Sequence, residues 1–154
     1  MSADYQILIS QDASEHRVNE SILRLAVEAA LLHHGAPAAE IDVAIVNDRE
    51  IARLNEAHLG YSGPTDVLSF DLRETTGDAL IDGQIVLSID TALREAQARA
   101  HTIDAEAALY AVHGVLHLLG YDDATEPGAA KMHQLEDQIL EKVGLGVAFS
   151  STRK

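Results

Sequence analysis

His113 and His117 stand four residues apart in the run His113-Gly-Val-Leu-His117-Leu-Leu-Gly120-Tyr-Asp-Asp123. On a helix, that spacing puts both imidazoles on one face, one turn apart. Gly120 can take the left-handed conformation that stops a helix and turns the chain back, so the turn can return Asp123 as a third ligand. Two imidazoles and one carboxylate make an open three-ligand site, the arrangement in which zinc keeps a position free for water or substrate. One zinc ion per chain, held by His113, His117 and Asp123, is the expectation, with Asp122 the fallback for the third ligand and His133 a further substitute. Eight histidines in 154 residues give roughly 0.4 pairs at this spacing by chance. The pair therefore counts for less than its continuation through Gly120 to Asp123. The chain has no cysteine, which removes disulfides and thiolate sites and leaves His, Asp and Glu as the available ligands.

The remaining composition bounds what can position such a site. With 154 residues, 47% hydrophobic and 23% charged, the chain reads as one domain over 1–143, followed by a tail at 144–154. Asp4 stands where a secretory signal would carry basic charge, and no apolar run is long enough to span a bilayer. A soluble, cytoplasmic protein with no membrane partner is expected. The net charge of −14, from 11 Lys plus Arg against 25 Asp plus Glu, repels polyanions at long range and counts against casual nucleic-acid binding, DNA included. Screening over about 8 to 10 Å still allows a local cleft to act independently of the far surface.

Periodicity supplies the elements. Residues 5–9 alternate as a strand, 18–32 carry apolar residues at helical spacing, and Gly35 and Pro37 end that helix. A strand over 41–46 leads to a helix capped by Asn47 or Asp48 and running through Ile51 and Leu54 to about 58. Gly60, Gly63 and Pro64 mark a loop, and strands at 66–70 and 84–89 share an edge of one sheet. Ser88 or Asp90 caps a helix over 91–100, Asp104 caps the buried helix 105–119 that carries the histidine pair, and a last helix covers 127–142. The expected fold is α/β (α+β), a small mixed four-stranded sheet packed with about five helices.

The histidine segment resembles the zinc helix of the metzincin proteases. Gly114, however, stands where those enzymes carry their glutamate base, and Asp123 replaces their usual third histidine, which argues against a metalloprotease. A closer resemblance is to the YbeY family of bacterial rRNA maturation factors. Its hallmark, His-Gly-x-x-His-Leu-x-Gly-Tyr-Asp-His, is matched here at every position but the last. Leu54-Asn55, Gly60 and Pro64-Thr65-Asp66-Val67-Leu68-Ser69-Phe70 are similar to that family's second signature, and Gly83-Gln84-Ile85-Val86 to its third.

This resemblance implies a metal-dependent endoribonuclease specific for single strands. It would act in 3′ end maturation of small-subunit rRNA and in ribosome quality control, with the rRNA precursor and the small ribosomal subunit as partners. His113 and His117 would be both ligands and catalytic residues. A bound metal would polarise a phosphate oxygen or activate water, and a nearby donor would offset charge building on phosphorus. Asp66 and Ser69 would lie near the cleft as hydrogen-bonding or proton-transfer groups; strand capping and edge polarity are the plainer reading of Ser69, whereas for Asp66 a catalytic role and the plain reading stand level, and Thr65 reads as a turn residue. A non-catalytic ribosome-assembly factor with a structural metal is the alternative.

Three departures from the family pattern bear on activity. Asp123 adds negative charge that weakens the Lewis acidity of a bound metal. Leu59 replaces an arginine that many relatives carry, so a phosphate anchor is missing. Gln84 replaces an acidic residue, keeping hydrogen bonds but losing charge. RNA affinity is expected to be weak. Arg94 and Arg99 could form a basic strip, although Arg99 is better placed to pair with Glu95 one turn away. His16, His33, His34, His58 and His101 read as solvated side chains.

Overall fold

The computed structural model describes residues 4–11, 16–73 and 80–145. In chain order the elements are β1 (Asp4–Gln11), α1 (Glu20–His34), β2 (Ala38–Val46), α2 (Asp48–Leu59), β3 (Val67–Asp71), β4 (Leu80–Ser88), α3 (Ile89–Arg99), α4 (Ile103–Leu118) and α5 (Glu126–Lys142). The sheet order is β1-β2-β4-β3, with β1, β2 and β4 parallel and β3 antiparallel to β4 at the edge. This is the expected mixed four-stranded sheet with five helices, and the 66–70 and 84–89 segments do pair.

Side-chain alternation sorts the sheet into two faces. Ile41, Val43, Ile45, Ile85 and Leu87 pack into the main core with α1, α4 and α5. Val46, Leu68 and Val86 face the other way and bury Ile51 of α2. Gln84, next to Ile85, therefore lies on the α2 face of β4, away from the helix that carries the histidines. The expected tail lies largely in 146–154, outside the described residues; Leu145, within its first part, packs against the main core.

Local signals set most helix ends. Asn19 Oδ1 accepts from the Ser21 and Ile22 amides and Gly35 closes α1 at φ 81°, while Asn47 caps α2 and Ser88 caps α3. The cap of α4 is Thr102, whose hydroxyl accepts from the Ala105 amide, and not Asp104. The Asp104 carboxylate instead accepts from the Asn19 amide at 2.8 Å, joining the starts of α1 and α4. Helix α4 begins at Ile103, two residues earlier than expected, so Asp104 lies inside its first turn.

The α3–α4 turn holds a further surprise. Ala100 sits at φ 58°, a left-handed conformation that an alanine adopts only when its surroundings impose it. The turn is clasped by Glu106, fully buried on α4, whose carboxylate lies 3.2 Å from Arg99 Nη1 and 2.5 Å from His101 Nε2. His101, expected in solvent, has a side chain only 6% exposed. A buried carboxylate needs such partners, because desolvating its charge alone costs several kcal/mol. Arg99→Met is expected to destabilise the protein by about 2–3 kcal/mol, less than the ~3–5 kcal/mol for breaking a fully buried pair, since Arg99 is partly exposed and His101 remains. The shift of the urea unfolding midpoint measures this.

Candidate metal centre

The last turns of α4 are packed against the sheet on one side and open on the other. Gly114 faces the sheet: a Cβ there would come within 3.0 Å of both Ile85 Cγ2 and Ser69 Oγ. The Ser69 hydroxyl donates to the Gly114 carbonyl at 3.2 Å, which ties β3 to the helix and occupies that hydroxyl. A glutamate at 114 would thus meet Ile85 and Ser69 of the sheet. His113 and His117 flank Gly114 along the helix and point into a cleft of about 400 Å³ that Val67, Leu68 and Ser69 of β3 also line, with side chains 22% and 32% exposed.

Leu119 closes α4, and Gly120 at φ 102° sends the chain back over the open face. Asp123 returns with it. His113 Nε2 lies 3.1 Å from His117 Nε2 and 3.4 Å from Asp123 Oδ2, and His117 Nε2 lies 3.7 Å from Asp123 Oδ1. A tetrahedral zinc ion with bonds of about 2.0–2.1 Å sets its ligand atoms about 3.3–3.4 Å apart. The imidazole pair stands slightly closer than that, and Asp123 meets the two rings with different oxygens; one ligand atom from each side chain lies within 4.8 Å of the others, so these three side chains could hold a metal ion. Asp122 is engaged elsewhere, its carboxylate accepting from the Ala124 amide at 2.9 Å and shaping the turn.

Glu136, 1% exposed on α5, was not foreseen. Its Oε2 lies 2.6 Å from His113 Nδ1. A carboxylate can only accept, so Nδ1 carries the proton and Nε2 is left with its lone pair facing Asp123. The signal was present: Met132, Leu135, Glu136, Ile139 and Leu140 form the buried stripe of α5, and an acid in such a stripe demands a buried partner. His133 also reaches Glu136, with Nδ1 3.3 Å from Oε1, which places it beside the site and outside the ligand triangle. Burial disfavours a charged His113 ring, but the hydrogen bond and charge of Glu136, with Asp123 and Asp66, outweigh that and hold its pKa above the ordinary imidazole value. A cation must displace the second proton of the charged ring, the one on Nε2, so metal affinity falls with falling pH.

The other cleft residues fall into place around this triangle. Asp66 lines the cleft, exposed, while its Oδ1 accepts from the Val67 amide at 2.8 Å and from Thr65 Oγ1 at 3.4 Å. Leu59, 50% exposed at the end of α2, lines the mouth, and among the described residues no Lys or Arg lines this cleft. Arg94 is held by Asp48 at 2.8 Å, and Arg99 by Glu95 and Glu106, so neither forms a free basic strip.

Fold and site define a small α/β domain with a His/His/Asp candidate metal centre on a buried helix. The chain belongs to the YbeY endoribonuclease family: residues 5–144 match the family described as Endoribonuclease YbeY. It is similar to the Endoribonuclease YbeY of Moorella thermoacetica, 39% identical over 151 residues that cover 89% of this chain and 96% of the relative. The protein of the same name from Desulforamulus reducens is 37% identical, covering 90% and 97%. The solution structure of TM1509 from Thermotoga maritima shares the fold, with a TM-score of 0.61 at 24% identity over 90% of this chain and 89% of that one. Family membership supports an endoribonuclease activity and hence an RNA substrate.

Loss of the Glu136 contact is expected to loosen the first imidazole. Glu136→Ala should lower zinc affinity about 10–100-fold, and Glu136→Gln, which can still accept through its amide oxygen, by less. Competition against a chromophoric chelator reads both.

Proposed function

We propose that this chain is a zinc-dependent endoribonuclease for single-stranded RNA, acting in the cytoplasm in 3′ end maturation of small-subunit rRNA and in ribosome quality control. The observation that carries the reading is the group of His113, His117 and Asp123, whose ligand atoms lie within 4.8 Å of one another in a cleft open to solvent. Structural zinc sites are closed by four protein ligands, whereas three ligands leave a position for chemistry.

Zinc, when bound, supplies Lewis acidity toward the phosphodiester and toward water. The protein's own residues do the rest. His113 and His117 present Nε2 lone pairs, and Glu136 keeps the His113 proton on the far nitrogen so that the ring enters the site in the ligating tautomer. Asp123 completes the ligand set, and its charge moderates the electrophilicity of the site. Asp66, at the cleft wall and exposed, is placed to take up a proton in general-base fashion.

The cleft offers RNA little positive charge. Leu59 stands at its mouth, Asp66 and Asp123 line it, and the net charge is −14. Affinity for free RNA is accordingly weak, and the enzyme works on RNA already presented within the small ribosomal subunit. The same weakness favours the second reading, an assembly factor that binds without cutting, and one variant separates the two.

His117→Ala is expected to keep the fold, lose zinc and abolish cleavage of an rRNA precursor in ribosomal particles; unfolding of this variant, with no cleavage by the zinc-loaded parent, would establish the structural-metal reading. Leu59→Arg is expected to raise cleavage of free single-stranded RNA severalfold and to steepen its decline with salt by about one phosphate contact. Fast, salt-tolerant cleavage by the parent would contradict the weak-affinity account.

A further inference from the structure

The cleft continues past His113. A second cavity of about 190 Å³ shares Asp66, Val67 and His113 with the metal cleft and extends between α3, α4 and α5. Its volume is below the roughly 300–1,000 Å³ of pockets for drug-sized ligands and suits one planar ring system. Val67, Leu109 and Tyr110 give it an apolar floor. Tyr110 is 3% exposed, with the Glu106 carboxylate beside its hydroxyl. Burial first, and the nearby Glu106 carboxylate second, push the phenol pKa up, so the group stays a donor.

The wall carries an acceptor beside a donor: Glu95 Oε2 lies 3.6 Å from Arg99 Nη2, with side chains 43% and 30% exposed. Guanine displays the complementary edge, a carbonyl O6 followed by N1–H and N2–H donors. A carboxylate accepts from both N–H groups while the guanidinium donates to O6. Adenine and cytosine each put a ring lone pair against the carboxylate, and uracil offers a single N–H between two carbonyls. Arg99 is also the one Lys or Arg lining either cavity among the described residues.

We propose that this cavity is a base subsite that takes the guanine of a nucleotide adjoining the phosphodiester at the metal centre. The inference rests on the ribonuclease reading and supplies what that reading lacks: a way to hold RNA in an acidic cleft, through base edges where phosphate contacts are missing. Single-stranded RNA can present an unstacked base to such a pocket.

Two measurements on the full-length zinc-loaded protein test it. In the first, the Val67 and Leu109 methyl resonances are followed during titration with the 5′-monophosphates of guanosine, inosine, adenosine and cytidine. The guanosine nucleotide is expected to bind at least about tenfold more tightly than the others, inosine failing because it lacks the amino group, since each charge-assisted hydrogen bond is worth about 1.5–3 kcal/mol. Glu95→Gln should bring all four within about twofold. Arg99 is left intact because Glu106 depends on it. In the second, cleavage is compared among oligonucleotides that differ in one base beside the cut. Equal binding of all four nucleotides, or selective binding that survives Glu95→Gln, overturns the subsite. Selective guanosine binding without cleavage of any RNA leaves the subsite standing and removes the nuclease reading; cleavage with no base selectivity in either measurement does the reverse.

Discussion

Helix α4 is buried on nearly every side, and the rest of the structure depends on how closely it approaches the sheet. The approach is possible because residue 114 has no side chain: Ile85 and Ser69 occupy the space a Cβ would need. With Gly114 pressed to β3 and β4, His113 and His117 project beside the edge strand β3, where the helix ends and the Gly120 turn brings Asp123 back. A protein interior transmits such constraints because it is packed like a solid. A side chain at 114 would force a few tenths of an ångström of adjustment between helix and sheet, and with it a shift of both imidazoles relative to Asp66 and Val67.

Electrostatics adds a second layer to the same helix. Glu106, Tyr110, His113 and His117 follow one another at helical spacing along α4. Three of them are met by charged groups from another element or from the flanking turn: Arg99 and His101 for Glu106, Glu136 for His113, Asp123 for both histidines. Buried acids such as Glu106 and Glu136 are sustained only by good partners. The arrangement fixes the rings before any cation arrives, so less conformational freedom is lost on binding. It also leaves the cleft acidic, and in this respect the chain departs from a nuclease that grips its substrate by phosphate charge. Leu59 and Asp123 act in the same direction as the overall charge.

What could be read in the amino-acid sequence was whatever is encoded locally. The ligand triangle lies within one short run from His113 to Asp123 and needs only helical periodicity and one glycine turn, so it was legible, as were the caps at Asn47 and Ser88 and the order of strands and helices. Strand lengths were understated: β4 begins at Leu80 because it pairs with β2 along its whole length, and pairing is not visible in a single segment. Glu136, Arg99 with Glu106, and the buried His101 were missed or misread for the same reason. Each is decided by a partner brought near by the fold, although Glu136 did announce itself as an acid in the buried stripe of α5. Thr102 took the cap expected of Asp104 because the helix begins two residues earlier, at Ile103.

The central claim is that His113, His117 and Asp123 bind one cation together. Anomalous diffraction at the zinc edge from crystals grown with zinc tests it most directly. The account requires one peak per chain, about 2.0–2.1 Å from both Nε2 atoms and about 2.0–2.2 Å from an Asp123 carboxylate oxygen. A peak held by other residues, or none at full zinc saturation with Asp123 turned into solvent, would contradict it.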